Sequence, residues 1–236
     1  MASAYPATMA GPDDESPGAT EWAVPGQVGV GPWPGDAADW PADGHYDPEL
    51  LAHGDTRNVV DAYRYWRRAA VADDLAARAH PFHVAIENFG HDHNIGTVVR
   101  TANAFGAAGV HIVGRRRWNR RGAMVTDRYL AVHHHDDVAA LVDFARDHGL
   151  TVVAVDNTPG AERLETAQLP RACLLLFGQE GPGVTDAAHA AAQMTVSIAQ
   201  FGSTRSINAS AAGAIAMHAW IRTHADLSPD GDAWRG

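Results

Sequence analysis

Three polar, glycine-bearing segments hold the residue types that could do chemistry: NFGHDHNIGTVVRTANAFG from Asn88, FGQEGPG from Phe177 and SIAQFGSTRSINAS from Ser197. The third runs into an alanine-rich stretch whose larger apolar residues are Ile207, Ile215, Met217 and Ile221, so it reads as a tight loop feeding a helix. Ser206 is the expected N-cap. Ser206 and Asn208 would then sit at a helix N-terminus, whose unpaired N–H groups and partial positive charge suit a polar or anionic ligand. An ordinary capped core helix is the alternative. A fourth segment, GRRRWNRRGAM, surrounds Trp118 with Arg115, Arg116, Arg117, Arg120 and Arg121. Guanidinium groups pair phosphates bidentately and an indole can stack on a base, so the cluster fits RNA; a solvated charged face is the alternative.

The histidines give no metal site. His133, His134 and His135 are consecutive on an expected strand, so they alternate faces and cannot jointly hold one ion. His91 and His93 flank Asp92 in a loop, where hydrogen bonding or substrate contact fits better than zinc.

Strands and helices in alternation must position these segments. Short apolar strands are expected at His83–Phe89, Gly109–Gly114, Tyr129–His135, Thr151–Asp156, Ala172–Gly178 and Met194–Gln200. Helices are expected at Asn94–Phe105, Asp136–His148 and Val184–Ala192, besides the one after the third segment. Continuous apolar strands separated by helices indicate a parallel sheet covered on both faces, with ligands bound beyond the carboxyl ends of its strands. The loops after the last three strands are therefore the candidate ligand loops. None spells a P-loop or a dinucleotide fingerprint.

The chain has 236 residues, is 46% apolar and carries a formal charge of -10. That charge looks hostile to nucleic acid, but its distribution matters. The first 55 residues hold ten acidic side chains and no basic one; the rest holds 18 of each sign, and every basic residue is arginine. The globular part is not excluded from binding RNA. Residues 1–52 are expected to be a disordered acidic tail containing Trp22, Trp33 and Trp40, because so little apolar surface cannot offset the entropy of ordering. An N-terminal helix is expected within 53–80, with Val59, Ala62, Tyr63, Trp66, Ala70 and Leu75 as its stripe, stopped by Pro81. The domain proper spans 81–227 and a C-terminal tail 228–236. A single cysteine, Cys173, and no evident membrane span or signal peptide point to a cytoplasmic location.

The three polar segments, in this order and spacing, resemble the signature motifs of the SpoU or TrmH family of RNA ribose 2'-O-methyltransferases, within the SPOUT class. The resemblance covers roughly 82–223. It implies an α/β, parallel-sheet SPOUT-type fold with a C-terminal trefoil knot, dependence on S-adenosyl-L-methionine (AdoMet), and a homodimer with the active site near its interface. No periodicity would have revealed a knot, a topology rare enough to be discarded by default. By position, Arg100 corresponds to the family's catalytic arginine, and Asn94, Glu180, Ser206 and Asn208 to the residues that hold it and the nucleoside. AdoMet would rest on Gly178, Ile198 and Ile207, with Asn157 and Thr158 nearby.

Two departures stand out. Relatives commonly have a proline where this chain has Ala199, so a less rigid loop is expected. Many also have a separate N-terminal RNA-binding domain, which leaves recognition of structured tRNA or rRNA mainly to the catalytic domain. A knotted RNA-binding module that has lost turnover is the alternative; retention of Arg100, Glu180, Ser206 and Asn208 argues against it. A doubly wound enzyme using another cofactor is disfavoured by the lack of a glycine-rich first loop.

Overall fold

The computed structural model describes residues 29–88, 94–179 and 182–228. Trp22, His91, His93 and Glu180 lie outside the described residues. The chain divides after Arg67 into two compact units.

The first unit departs from the expected tail. From Gly29 onward the chain is organised around Asp55, whose fully buried carboxylate accepts bonds from the Arg57 guanidinium at 2.6 and 2.8 Å and from the backbone N–H groups of Arg57 and Tyr65 at 3.0 and 2.9 Å. Burial pushes this carboxyl upward, but the Arg57 and backbone bonds outweigh it and leave it below the usual range. Asp55 also pairs through its backbone with Val30, next to α1 (Pro48–His53), which Asp47 caps. Trp33 packs edge-on against Tyr46 and Tyr65, while Trp66 stacks on His45 and meets Tyr63.

These contacts also break the helix expected across Asn58–His80. Tyr63 and Trp66, which looked like part of a helical stripe, belong to this aromatic cluster. The backbone makes a short 3-10 turn at Asp61–Tyr63 and turns left-handed at Tyr65 (φ 63°). Regular helix begins only with α2 (Arg68–Ala77).

In the second unit, seven parallel strands form one sheet: β1 (His80–Asn88), β2 (Ala107–Gly114), β3 (Val132–His135), β4 (Thr151–Val155), β5 (Glu162–Arg163), β6 (Cys173–Phe177) and β7 (Met194–Ser197). Their spatial order is β3-β2-β1-β6-β4-β7-β5. Only β5, a two-residue edge strand without an apolar run, was not legible in the sequence. α3 (Ile95–Ala104) and α6 (Ala209–His224) cover one face; α4 (Val138–Asp147) and α5 (Asp186–Ala191) cover the other.

Alternation along the strands produces the two layers. Phe82, Val84 and Ile86 pack with Val98 of α3 and Met217 of α6, whereas Ala85 packs with Leu141 of α4 and Ala188 of α5. Trp220, fully buried on α6, lies 4.5 Å from Phe82 and donates its indole N–H to the carbonyls of Pro170 and Arg171. Burial raises the Cys173 thiol to about 12, which leaves it an inert core residue. No helix among the described residues is long and apolar enough to cross a membrane.

Below α4 the packing is unusual. His83, His111, His133 and His135 share this face of the sheet around Phe144, and His148 stacks on that ring at 3.8 Å. His111, fully buried, bonds His83 at 2.9 Å and His135 at 2.8 Å through its two ring nitrogens. His134 alternates away and donates to the Gly114 carbonyl.

Burial lowers His111 to about 2 and His83 to about 4, and the neighbouring imidazoles, which would repel a second charge, push the same way. The folded values lie below the ordinary value of about 6.5, so the unfolded chain binds protons first as pH falls. The contribution of these histidines is therefore fully present above about pH 6.5 and declines below it, with His111 giving a slope of about 1.4 kcal/mol per pH unit between about 6.5 and 2. Denaturant titrations at pH 7 and pH 5 should show the acid loss, and His111→Gln should reduce the slope by about one proton. An unchanged slope in that variant would assign the acid sensitivity to other groups.

Candidate active site

The carboxyl ends of β4, β6 and β7 lie side by side, and the loops that leave them converge with the start of α6 on a cleft of about 330 Å³. Asn157, Gly178, Ile198, Ser206, Ile207 and Asn208 line it, together with Asp156, Gln200 and Arg205. Thr158 is not among the lining residues.

Steric constraint shapes the middle loop. A methyl group on Gly178 would come within 2.0 to 2.2 Å of the backbone of Gly183 and Val184. Only a residue without a side chain lets the chain fold back there, where Gln179 and Gly183 exchange two backbone bonds at 3.1 Å. Asp156 fixes the neighbouring loop. Its carboxylate accepts from the N–H of Asn157 at 2.7 Å, the N–H of Val184 at 3.2 Å and the His189 ring at 3.0 Å. Asn157 in turn donates to the Arg205 carbonyl at 3.0 Å, which joins the loop after β4 to the loop after β7. Underneath, the buried Glu87 on β1 accepts from both the N–H and the hydroxyl of Thr185, the N-cap of α5.

Ala199 is tied where the resemblance led us to expect a looser loop. Its N–H donates to Glu165 Oε1 at 2.9 Å, a bond that proline could not make.

The N-cap of α6 is Asn208, not Ser206. Asn208 Oδ1 accepts from the N–H groups of Ser210 and Ala211 and from the Ser210 hydroxyl, while Ser206 sits two residues outside the helix on the cleft wall. Asn outranks a more distant serine because its carbonyl reaches two of the first free N–H groups at once. Its amide nitrogen donates to Asn94 Oδ1 at 2.9 Å, joining the starts of α3 and α6. Arg100 lies six residues beyond Asn94 on the exposed side of α3, outside the cleft lining. Its guanidinium makes no hydrogen bond or ion pair among the described residues.

The arginine-rich loop is anchored to the same region. Asn88, buried at the end of β1, donates to the carbonyls of Arg115 and Arg117 at 2.6 and 3.1 Å. Farther on, the loop lies on the first turn of α3: a methyl on Gly96 would come within 2.8 Å of the Ala123 nitrogen and of Gly122 Cα. Arg115, Arg116, Arg117 and Arg121 are exposed. Arg120 is already engaged, bonded to Asp127 at 3.2 Å and lying 5.5 Å over the Trp118 ring. Trp118 is half-buried against the core, so it serves packing as well as surface chemistry. At the loop's end Met124 and Val125 both adopt left-handed backbone (φ 48° and 72°), strain for a β-branched residue in particular.

A parallel sheet covered on both faces, with its cleft beyond the carboxyl ends of the strands, defines a ligand-binding α/β domain. Residues 81–218 match the SpoU rRNA methylase family, and the chain belongs to that family. A relative in Escherichia coli (strain K12), tRNA (guanosine(18)-2'-O)-methyltransferase, is 28% identical over 155 residues, covering 64% of this chain and 68% of the relative. The A. aeolicus TrmH/SpoU tRNA modifying enzyme superposes with a TM-score of 0.58 at 19% identity, over 66% of this chain and 81% of that one. AviRb from Streptomyces viridochromogenes, solved in complex with AdoMet, superposes at 0.56 with 22% identity. That match covers 61% of this chain and spans 58% of AviRb.

Asp156, Asn88 and Gln200 were not singled out from the sequence. The first two had a legible signal, a polar residue at the carboxyl end of an apolar run. The cleft geometry gives a direct test. Gly178→Ala should cost about 2 kcal/mol or more in unfolding free energy, because backbone rather than a pliable side chain meets the new methyl. Gly202→Ala, whose methyl would meet nothing within 4 Å, should be neutral. Equal stability of the two variants in denaturant titration would show that the middle loop is not locked.

Proposed function

We propose that this chain is an AdoMet-dependent 2'-O-ribose methyltransferase acting on structured RNA of the tRNA or rRNA type. The observation that carries the reading is the convergence of three strand-end loops and the start of α6 on one cleft, joined through Asn157 to Arg205, with the start of α3 tied to it by the bond from Asn208 to Asn94. The cleft fits the cofactor. Its volume is that of a small-molecule site, Ile198 and Ile207 offer apolar walls for a purine, and the glycine at 178 brings backbone close. When bound, AdoMet supplies a methyl group on a sulfonium centre.

The chain's own residues would prepare the acceptor. A guanidinium ordinarily stays protonated, so we assign Arg100 no proton-acceptor role, and the hydroxyl proton passes to solvent water. Its part is electrostatic: it neutralises the phosphate beside the acceptor ribose and stabilises negative charge developing on the 2'-oxygen. Asn94 and Asn208 keep α3 at a fixed distance from the cleft, and Ser206 and Glu180 complete the set that holds the nucleoside. Arg115, Arg116, Arg117 and Arg121 grip the RNA backbone, with Arg120 and Trp118 supporting their loop. We further infer the family's trefoil knot, formed by the loops around β6 and β7, a homodimer and a cytoplasmic location.

Arg100→Ala should abolish methyl transfer, a loss of at least about 3 kcal/mol in the barrier, while AdoMet affinity stays within about twofold. A radiolabelled-methyl assay beside calorimetry separates the two quantities. Turnover near that of the parent would reject the role of Arg100, and AdoMet binding without any transfer by the parent chain would favour a silent RNA-binding module.

Substituting Arg116, Arg117 and Arg121 together by Gln should weaken RNA binding. The salt dependence should flatten by about two log–log units, since each phosphate contact contributes about 0.7. An unaltered slope would make the cluster a solvated face.

A further inference from the structure

Resting on the cofactor reading above, we propose that Gln200 selects the cofactor's purine by accepting a hydrogen bond from its exocyclic amine. Gln200 Oε1 is buried and has no hydrogen-bond partner among the described residues, and Gln200 lines the cleft. Buried acceptors are seldom left bare, and an unmade bond of this kind is one a ligand donor can complete.

Two neighbouring polar side chains of the cleft are already engaged. Asp156 holds Asn157, Val184 and His189, and the Asn157 amide holds the Arg205 carbonyl. Gln200 Oε1 is the buried side-chain acceptor without a partner among the described residues, and its neighbours say what donor it would meet. Ile198 and Gln200 both line the cleft, while Ala199 between them directs its N–H to Glu165 and Phe201 stands exposed. The apolar wall and the acceptor therefore occupy one edge of the cleft, two residues apart.

A flat ring lying on Ile198 presents its in-plane donors to that edge. An ammonium group is a poorer match, because one neutral acceptor in a dry wall would leave its charge uncompensated. An exocyclic amine is neutral, lies in the ring plane and only donates.

The test compares S-adenosylhomocysteine with its 6-deamino purine analogue by calorimetry on the full chain, which reads binding rather than turnover. The parent should bind the amine-bearing ligand roughly tenfold tighter, the effect of one hydrogen bond to a buried acceptor. Gln200→Met keeps the length and flexibility of the side chain but replaces the amide by a weak acceptor. It should bind the two ligands within about twofold of each other. Its thermal midpoint without ligand should not fall, because the substitution removes an unsatisfied polar atom.

Full discrimination retained in Gln200→Met overturns the assignment while leaving the cofactor reading standing. Equal binding of the two ligands by the parent overturns it without reference to any variant. If the parent binds neither ligand, the cofactor reading falls, and this inference with it.

Discussion

The cleft depends on a backbone contact that leaves no space for a side chain. At Gly178 the chain leaves β6 and folds back so closely on Gly183 and Val184 that even a methyl group would collide. That return brings the Val184 N–H within reach of Asp156, and Asp156 then fixes the loop after β4. From there the Asn157 amide reaches Arg205, so a constraint on one strand end is transmitted through three loops. The connections are hydrogen bonds between loops rather than apolar burial. This allows the wall to stay open to a ligand while its backbone is held.

The two faces of the sheet have been put to different uses. On the α3 and α6 side the core is mainly apolar, and small residues set the spacing: Gly213 of α6 lies 3.6 Å from Val98 of α3, measured from where its Cβ would be. That close packing gives Asn94 and Asn208 fixed positions at the two helix starts. On the α4 side, four strand histidines replace aliphatic residues and join one another through ring nitrogens. Burial, with repulsion between neighbouring rings, keeps these imidazoles neutral and makes an added proton costly. This layer consequently ties stability to pH.

Much of the second unit was legible because parallel strands buried on both faces read as plain apolar runs. CLLLF at Cys173–Phe177 is buried at all five positions. The cleft was legible in part, through glycines and polar residues after those runs. What the sequence did not reveal depends on distant partners. Ser206 resembles an N-cap as well as Asn208 does, and the cap's second tie, to Asn94 more than a hundred residues away, has no local signal. The aromatic residues of Asn58–Trp66 have helical spacing, yet their partners are Trp33 and His45, from a segment whose composition reads as a tail. Composition averages over a window, and three or four well-placed rings around one buried carboxylate are enough to defeat it.

The arginine loop shows how substrate grip and chemistry could be coupled through packing alone. Its first half hangs from the buried Asn88 amide at the end of β1, the strand that leads towards α3. Its second half lies against Gly96 and Thr97 in the first turn of that helix. The loop is therefore anchored at one end to β1 and at the other to the turn that follows Asn94, whose side chain meets Asn208. Phosphates captured by the loop would be registered against Arg100 without any contact between the two sets of guanidinium groups, because both are referred to one helix. Gly96 and Gly122 permit this seating: a side chain at either would lift the loop from the helix, which under the proposed function would separate the RNA contacts from Arg100.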